Sequence, residues 1–130
     1  MIGLDTNVLL RYLTKDDPAQ SASATQLIRS FSSENPGFLS LIVIIETIWV
    51  LENSYDFGKT QIEEVLEVLL RSRELSVERA DLVWQAFRIF SSSRTDFADC
   101  LIERCSHAAG CSYTATFDRA ASRAGMRLLA

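Results

Sequence analysis

Four acidic residues stand where a metal-dependent hydrolase would place its ligands. Asp5 and Asp118 each follow a short apolar run, and Asp99 lies one turn into a predicted helix. Glu46 lies a turn and a half into another predicted helix. Carboxylate oxygens are the ligands that Mg²⁺ and Mn²⁺ prefer, whereas zinc sites usually include Cys or His. These residue types therefore predict divalent-metal chemistry.

Three of these positions also have a purely structural interpretation. Asp5 and Asp118 precede predicted helices and would serve as N-caps, for which Asp is well suited. Asp96 and Asp99 have the spacing of a capping box, and two negative charges in a first turn suit the helix dipole. Taken one at a time, these acids are explained as caps. Their joint arrangement is what favours a metal pocket.

Glu46 is harder to explain as a structural residue. It lies in an apolar helix, where Ile42 and Trp49 are its neighbours one turn away on either side. No Lys or Arg lies on that helix, and an unpaired buried carboxylate costs several kcal/mol. We therefore expect Glu46 to be buried and to require a cation, for which a divalent metal is a candidate.

The chain alternates short apolar runs with helical patterns, which predicts a single α/β domain over residues 1–130 with a short, mostly parallel central sheet. Strands are predicted at 2–4, 38–39, 74–77, 112–116 and 126–129. Helices are predicted at 6–13, 18–31, 41–54, 60–71, 79–90, 97–109 and 119–124. In such sheets, ligands bind outside the carboxyl ends of the strands, which is where the four acids are expected to meet.

Composition narrows the possible partners. The chain is 48% hydrophobic, which hints at a second buried surface such as a dimer interface. Its net charge of −4 supplies no overall attraction for nucleic acid, yet 11 of the 13 basic residues are Arg. Because the guanidinium fork matches phosphate, a basic rim around an acidic pocket is compatible with RNA binding.

The remaining reactive side chains exclude several site types. Cys100, Cys105 and Cys111 lack the C-x-x-C spacing of zinc or redox sites, so buried thiols in a reducing compartment are expected. His107 is the one histidine of the chain, and a catalytic role for it is not expected. The chain opens directly on a predicted strand, and its longest apolar stretch is far short of a membrane span. These features predict a cytoplasmic protein.

Several short motifs together resemble one family. The opening Met1-Ile2-Gly3-Leu4-Asp5-Thr6-Asn7-Val8-Leu9 resembles the start of PIN domains, especially the VapC toxins of bacterial toxin–antitoxin pairs. Glu46 after strand two is similar to the second acidic motif of that family. The runs Asp96-Phe97-Ala98-Asp99-Cys100-Leu101-Ile102 and Thr116-Phe117-Asp118 are similar to its later motifs, in the same order. The resemblance spans the whole chain.

This resemblance implies a three-layer α/β/α fold that hydrolyses RNA with Mg²⁺ or Mn²⁺. It also implies a homodimer inhibited by a VapB-type antitoxin that binds operator DNA. Asp96 and Asp99 compete for the third acidic position. Asp99 is favoured because it begins a run similar to that of the family, which leaves Asp96 as an auxiliary acid or a cap. Asp118 lacks the second downstream acid of some relatives, which leaves water-mediated metal binding open.

The predicted mechanism assigns the acids to one catalytic metal pocket. Asp5 and Asp99 would hold the principal metal, while Glu46 and Asp118 complete its shell or recruit a second ion. Such a metal activates a water for in-line attack, and Glu46 is the candidate for accepting its proton. The predicted auxiliary residues are Asp96, Thr6, Asn7 and Thr116. Asp96 is also explained as a cap, and the other three are at least as well explained as turn residues. The predicted RNA-binding residues are Arg11, Lys15, Arg119 and Arg123.

Other phosphoryl-transfer classes fit less well. Haloacid-dehalogenase-like phosphatases need Asp-x-Asp after strand one, where this chain has Asp5-Thr6-Asn7. Receiver domains need paired acids and a well-placed Lys, and no phosphate-binding loop of the G-x-x-x-x-G-K-[ST] type is present. The alternative that stays open is a PIN-like module that binds RNA or a partner without cutting. The presence of all four acids argues against it.

Overall fold

A computed structural model describes residues 1–129, which form two compact units. The first unit covers Met1–Glu78 and the second begins at Arg79. Each unit is built from helices and short parallel strands. Each therefore has its own sheet, whose strand ends position a subset of the predicted site residues.

The first unit contains a three-stranded parallel sheet. Its strands are β1 (Ile2–Gly3), β2 (Gly37–Leu39) and β3 (Leu75–Val77), with β2 in the middle. Gly37 is paired with Ile2 on one side and with Leu75 on the other. Because all three strands are parallel, their carboxyl ends lie at one edge of the sheet. Asp5 follows the first of these ends.

Four helices complete the first unit: α1 (Thr6–Thr14), α2 (Pro18–Arg29), α3 (Leu41–Ser54) and α4 (Lys59–Arg71). Helix α1 packs against α2 and α3, and α4 packs against β3 and α3. The helices bury apolar residues at helical spacing, as an amphipathic helix does. The most deeply buried include Leu9, Leu39, Ile44, Leu51, Ile62, Leu66 and Leu69.

The second unit contains α5 (Ala80–Ser91), α6 (Phe97–Ala108), β4 (Ala115–Thr116), α7 (Arg119–Arg123) and β5 (Arg127–Leu128). Helices α5 and α6 pack together, and the rings of Phe90 and Phe97 meet edge to face at 6.1 Å. Strands β4 and β5 form a parallel pair in which Ala115 lies opposite Arg127. The short helix α7 connects them.

The predicted mixed α/β fold with short parallel strands is confirmed, and each predicted helix and strand is present within residues 1–129. Several elements are shorter than predicted, and the strands pair as a group of three and a group of two. The single-domain assignment stays a prediction. Within the described residues, no helix combines the length and apolar character of a membrane-crossing segment.

The expectation that the three cysteines are buried is wrong. It holds for Cys100 alone, since Cys105 is half-buried and Cys111 is exposed. Helix α3, which is apolar on nearly every side, leaves Ile42 and Trp49 78% and 61% exposed. Hydrophobic composition does not determine which side of an element its neighbours cover.

Candidate active site

Asp5 caps helix α1 at the carboxyl edge of the three-stranded sheet. Its Oδ1 accepts a hydrogen bond from Val8 N at 2.9 Å, so the predicted capping role is confirmed. Within the part of the chain that the structure describes, its second oxygen, Oδ2, has no hydrogen-bond partner. The side chain is exposed. Asp5 therefore caps the helix with one oxygen and presents the other to solvent.

Glu46 lies beside the start of α1, and its surroundings differ from those that the sequence predicted. Its side chain is exposed, so the expectation of a buried carboxylate is wrong. It shares an exposed stripe of α3 with Ile42 and Trp49. The packing of α1 against α3 brings the hydroxyl of Thr6 to Glu46 Oε1, to which it donates a hydrogen bond. Thr6, the residue that follows Asp5, thus links Glu46 to the start of α1.

In the second unit, Asp96 and Asp99 lie at the start of α6. Asp96 is the N-cap, and its Oδ1 accepts from Asp99 N at 2.9 Å. Asp99 is half-buried, and its Oδ2 accepts from the hydroxyl of Thr95 at 3.3 Å. The two acids therefore have different hydrogen-bonding roles. Asp96 caps the backbone of the first turn, whereas the side chain of Asp99 is oriented by Thr95.

Asp118 caps α7 in the same unit. Its Oδ1 accepts from Ala121 N at 3.0 Å, and its own N–H donates to Thr116 Oγ1 at 3.0 Å. The predicted cap is confirmed, and Thr116 fixes the backbone from which the Asp118 side chain projects. Asp118 also lies close enough to Asp99 to affect its ionisation electrostatically.

Burial and negative neighbours raise the pKa of Asp99 above the ordinary value of an aspartate. Partial burial is the largest cause, followed by the charge and hydrogen bonding of Asp96 and the charge of Asp118, while the Thr95 hydroxyl acts in the opposite direction. The cluster thus concentrates negative charge. A bound cation would relieve this repulsion.

This raised pKa predicts a specific effect of pH on stability. A group whose pKa is raised by folding stabilises the protein below its unfolded pKa, and this contribution is lost as pH rises through the folded value. We therefore expect Asp99→Asn to gain stability relative to the native chain as pH rises from 3.8 to neutrality, in the presence of chelator. Urea unfolding of both proteins across that range tests this. A stability difference that does not change with pH would contradict it.

The residues present fit a hard divalent cation better than a soft one. Burial raises the pKa of the Cys100 thiol to about 11, so this neighbour of Asp99 is protonated at neutral pH and is a poor metal ligand. None of the ion pairs found in residues 1–129 includes Asp5, Glu46, Asp99 or Asp118. Within neither unit, however, do three described acidic, Cys or His side chains converge as a metal site.

The predicted RNA-binding residues have different surroundings. Arg11 is partly engaged, because its Nε donates to Gln20 at 2.7 Å and its guanidinium pairs with Asp16 at 3.4 Å. Lys15 ends α1 in a left-handed conformation. Asn7 and Arg11 line a groove of about 440 Å³ beside Asp5 in the first unit. Arg119 and Arg123 are exposed at the two ends of α7.

Sequence reasoning missed two polar residues near these acids. Thr95 was assigned to a linker, but it is 4% exposed and its hydroxyl contacts Asp99 four residues later. Glu78 follows β3 at the carboxyl edge of the first sheet, where its Oε1 accepts from Leu41 N at 2.9 Å and caps α3. The position of Thr95 directly before the N-cap Asp96 could have indicated its contact with the first turn of α6. The contact between Glu78 and Leu41 could not have been predicted locally, because it depends on the pairing of β2 with β3.

Comparison of the sequence with known proteins assigns the family. The sequence model described as "PIN domain" matches residues 2–126. A protein of Aquifex aeolicus (strain VF5) named VapC ribonuclease is 30% identical over 99 residues, which cover 75% of this chain and 73% of that protein. The crystal structure of Mycobacterium tuberculosis VapC20, described as a sarcin-ricin loop cleaving toxin, is 23% identical with a TM-score of 0.45. That match covers 99% of this chain and 98% of the other.

Proposed function

Because this chain belongs to the PIN-domain family, we propose that it is a metal-dependent ribonuclease that hydrolyses phosphodiester bonds of RNA. The observation that carries the proposal is the family match over residues 2–126. The four carboxylates whose short motifs resemble the acidic motifs of the family are the proposed site. The activity named for the VapC relative is the activity we assign here. We also assign this chain the toxin role of a toxin–antitoxin pair.

We assign the metal site to Asp5, Glu46, Asp99 and Asp118, which would hold Mg²⁺ or Mn²⁺. Two observations support this. Asp5 has an oxygen that its capping bond leaves unused. The pKa of Asp99 is raised first by partial burial and then by Asp96 and Asp118, neither of which has an ion-pair partner within residues 1–129. When bound, such an ion activates water and neutralises charge on the phosphoryl oxygens.

Three threonine hydroxyl groups position these acids for the reaction. Thr6 donates to Glu46, Thr95 donates to Asp99, and Thr116 accepts from the backbone of Asp118. Such contacts fix ligand orientation, and their loss commonly costs about 10- to 100-fold in metal affinity or activity. Glu46 is exposed, so it is accessible to a water and serves as the proton acceptor. Asn7 remains an auxiliary candidate beside Asp5.

The RNA path is assigned to basic residues on both units. Arg119 and Arg123 have no ion-pair partner among the described residues, so both guanidinium groups are available to phosphate. Lys15 is exposed at the end of α1. Arg11 would contribute less, since its ion pair with Asp16 already occupies part of its donor capacity. Arg119 and Arg123 are therefore the principal phosphate contacts.

The partners proposed are a VapB-type antitoxin and a second copy of this chain, in the cytoplasm. The support comes from the VapC relative and from the exposed apolar side chains of α3. Ile42 and Trp49 lie on one exposed stripe of α3, and adjacent exposed apolar side chains are typical of interaction surfaces. Relief of growth inhibition by co-expression of a neighbouring antitoxin gene tests the toxin role.

The activity is tested by incubating the purified chain with mixed RNA and Mg²⁺ or Mn²⁺, with and without chelator. Cleavage in metal that stops in chelator, and returns when metal is restored, supports the proposal. RNA that is bound but stays intact under all conditions would instead support a PIN-like module that binds without cutting. Chelator-resistant cleavage would contradict the metal site.

A further inference from the structure

The second unit carries a row of exposed aromatic side chains beside Asp118. Exposure alternates along the chain at β4: Tyr113, Ala115 and Phe117 are exposed, while the residues between them are partly covered. A period of two is the pattern of one strand face turned to solvent. Here the alternation extends beyond the two residues of β4, since Tyr113 precedes the strand and Phe117 lies in the bend that follows it. Phe117 is 81% exposed, although it directly precedes a proposed metal ligand. This ring does not contribute to the core.

Strand β5 adds a cation to this face. Ala115 lies opposite Arg127 in the parallel pair, so their side chains share a side of the sheet. Backbone bonds from Arg127 N to Thr114 O and from Leu129 N to Thr116 O, both 2.8 Å, hold the two segments together. The Arg127 guanidinium stacks on Tyr113, 3.8 Å from the ring centroid. The stacking face, defined as Tyr113, Ala115, Phe117 and Arg127, therefore combines two rings, a flat cation and a small residue between them.

We propose that this stacking face binds an unpaired base of single-stranded RNA next to the cleaved phosphodiester, with Phe117 as the base-stacking residue. Aromatic rings and Arg on a strand face are the combination with which proteins hold unpaired bases, because every base has a π-face and the phosphates attract the cation. A base stacked on Phe117 would place its phosphate near Asp118, the next residue.

The inference rests on the proposed ribonuclease function and refines it by specifying single-stranded substrate. A base inside a duplex is already stacked on both faces, so Phe117 has no access to it. The exposed Arg119 and Arg123 on the adjoining helix supply phosphate contacts on the same unit. Phe117 would thus select unpaired RNA, while these arginines contribute sequence-independent affinity.

The test compares Phe117→Ala, Phe117→Tyr and the native chain. Binding is measured in the Asp5→Asn background, so that the RNA stays intact, with a short oligoribonucleotide carrying 2-aminopurine and with the same strand annealed to its complement. Cleavage of the single strand is measured with Asp5 present. Val68→Ala, which alters another exposed apolar side chain in the first unit, is the matched control.

We expect Phe117→Ala to bind the single strand about 5- to 100-fold more weakly, as loss of base stacking on an aromatic ring does. The substitution should raise KM more than it lowers kcat and should remove the quenching of 2-aminopurine fluorescence. Phe117→Tyr should retain both properties, Val68→Ala should behave like the native chain, and duplex binding should not depend on position 117.

Equal binding and cleavage by Phe117→Ala and the native chain would overturn the stacking role and leave the ribonuclease proposal standing. A change in oligomeric mass caused by Phe117→Ala, with unchanged RNA affinity per chain, would assign the face to a second copy and would also overturn it. If the native chain neither binds nor cuts single-stranded RNA, both proposals fail. Thermal unfolding verifies that each variant is folded.

Discussion

Asp5→Asn should reduce RNA cleavage at least about 100-fold while leaving the fold intact, since even removing a residue that only supports a metal ligand costs about 10- to 100-fold. Asparagine caps helices about as well as aspartate, so the bond from Val8 N to the side chain at position 5 is retained. What is lost is the negative charge and one carboxylate oxygen. The measurement is the rate of metal-dependent cleavage at saturating RNA, with thermal unfolding on the same preparations.

Asp17 offers a matched control for this experiment. It caps α2 as Asp5 caps α1, with its side chain accepting from Gln20 N at 3.1 Å, but it has no assigned role in the site. Asp17→Asn should therefore change stability as little as Asp5→Asn and leave cleavage unchanged. Full activity in Asp5→Asn, or equal losses in both variants, would remove Asp5 from the metal site.

Asp99→Asn should also reduce the cleavage rate at least about 100-fold, whereas Asp96→Asn should reduce it about tenfold or less. The structure gives the reason for the asymmetry. Asp96 uses Oδ1 to cap the backbone at Asp99, a task that asparagine performs as well. Asp99 caps nothing, and its half-buried carboxylate is oriented by Thr95. Cleavage rates of the two variants, with the metal concentration varied, measure the difference.

The two substitutions control for each other, because they lie in the same turn and remove the same charge. If Asp96→Asn is the inactive variant and Asp99→Asn retains activity, the third metal position belongs to Asp96. Asp99→Asn should also respond differently to metal. If the Asp99 carboxylate contributes to metal affinity, excess Mn²⁺ should restore part of the activity of Asp99→Asn. The same excess should not change the activity of Asp96→Asn.

Local sequence patterns predicted the elements of this fold well. Asp5 and Asp96 were expected to begin helices, and both are N-caps whose side chains accept from the third residue of the helix. Capping and turn residues act over a few positions, so the information is contained in the sequence nearby. The lengths of β4 and α2 were less accurate, because helix and strand ends depend on contacts that are distant in sequence.

Features that depend on which neighbour covers a face were not predictable in this way. Glu46 was expected to be buried because its helix is apolar, yet the structure leaves it exposed and places the Thr6 hydroxyl on it. That contact results from the packing of α1 against α3, for which periodicity carries no signal. The division of the strands between two sheets is likewise set by pairing that no local pattern specifies.

The candidate site was predicted from spacing and from the family resemblance rather than from any single residue. Asp5, Asp96 and Asp118 each proved to be helix caps, which is the structural role that the sequence allowed for them. Capping uses one carboxylate oxygen, so it is compatible with metal binding through the other. Burial is the largest cause of the raised pKa of Asp99, and the charges of Asp96 and Asp118 add to it, so these three acids of the second unit affect one another electrostatically.

The most direct test is to measure Mn²⁺ affinity and stoichiometry by calorimetry in the native chain, Asp5→Asn, Asp99→Asn and the double variant. If carboxylates from the two units share an ion, either single substitution weakens the same tightest site, and the double variant departs from the sum of the two effects. If each substitution instead removes a different ion, with additive losses, or if neither alters Mn²⁺ binding, the shared site does not exist.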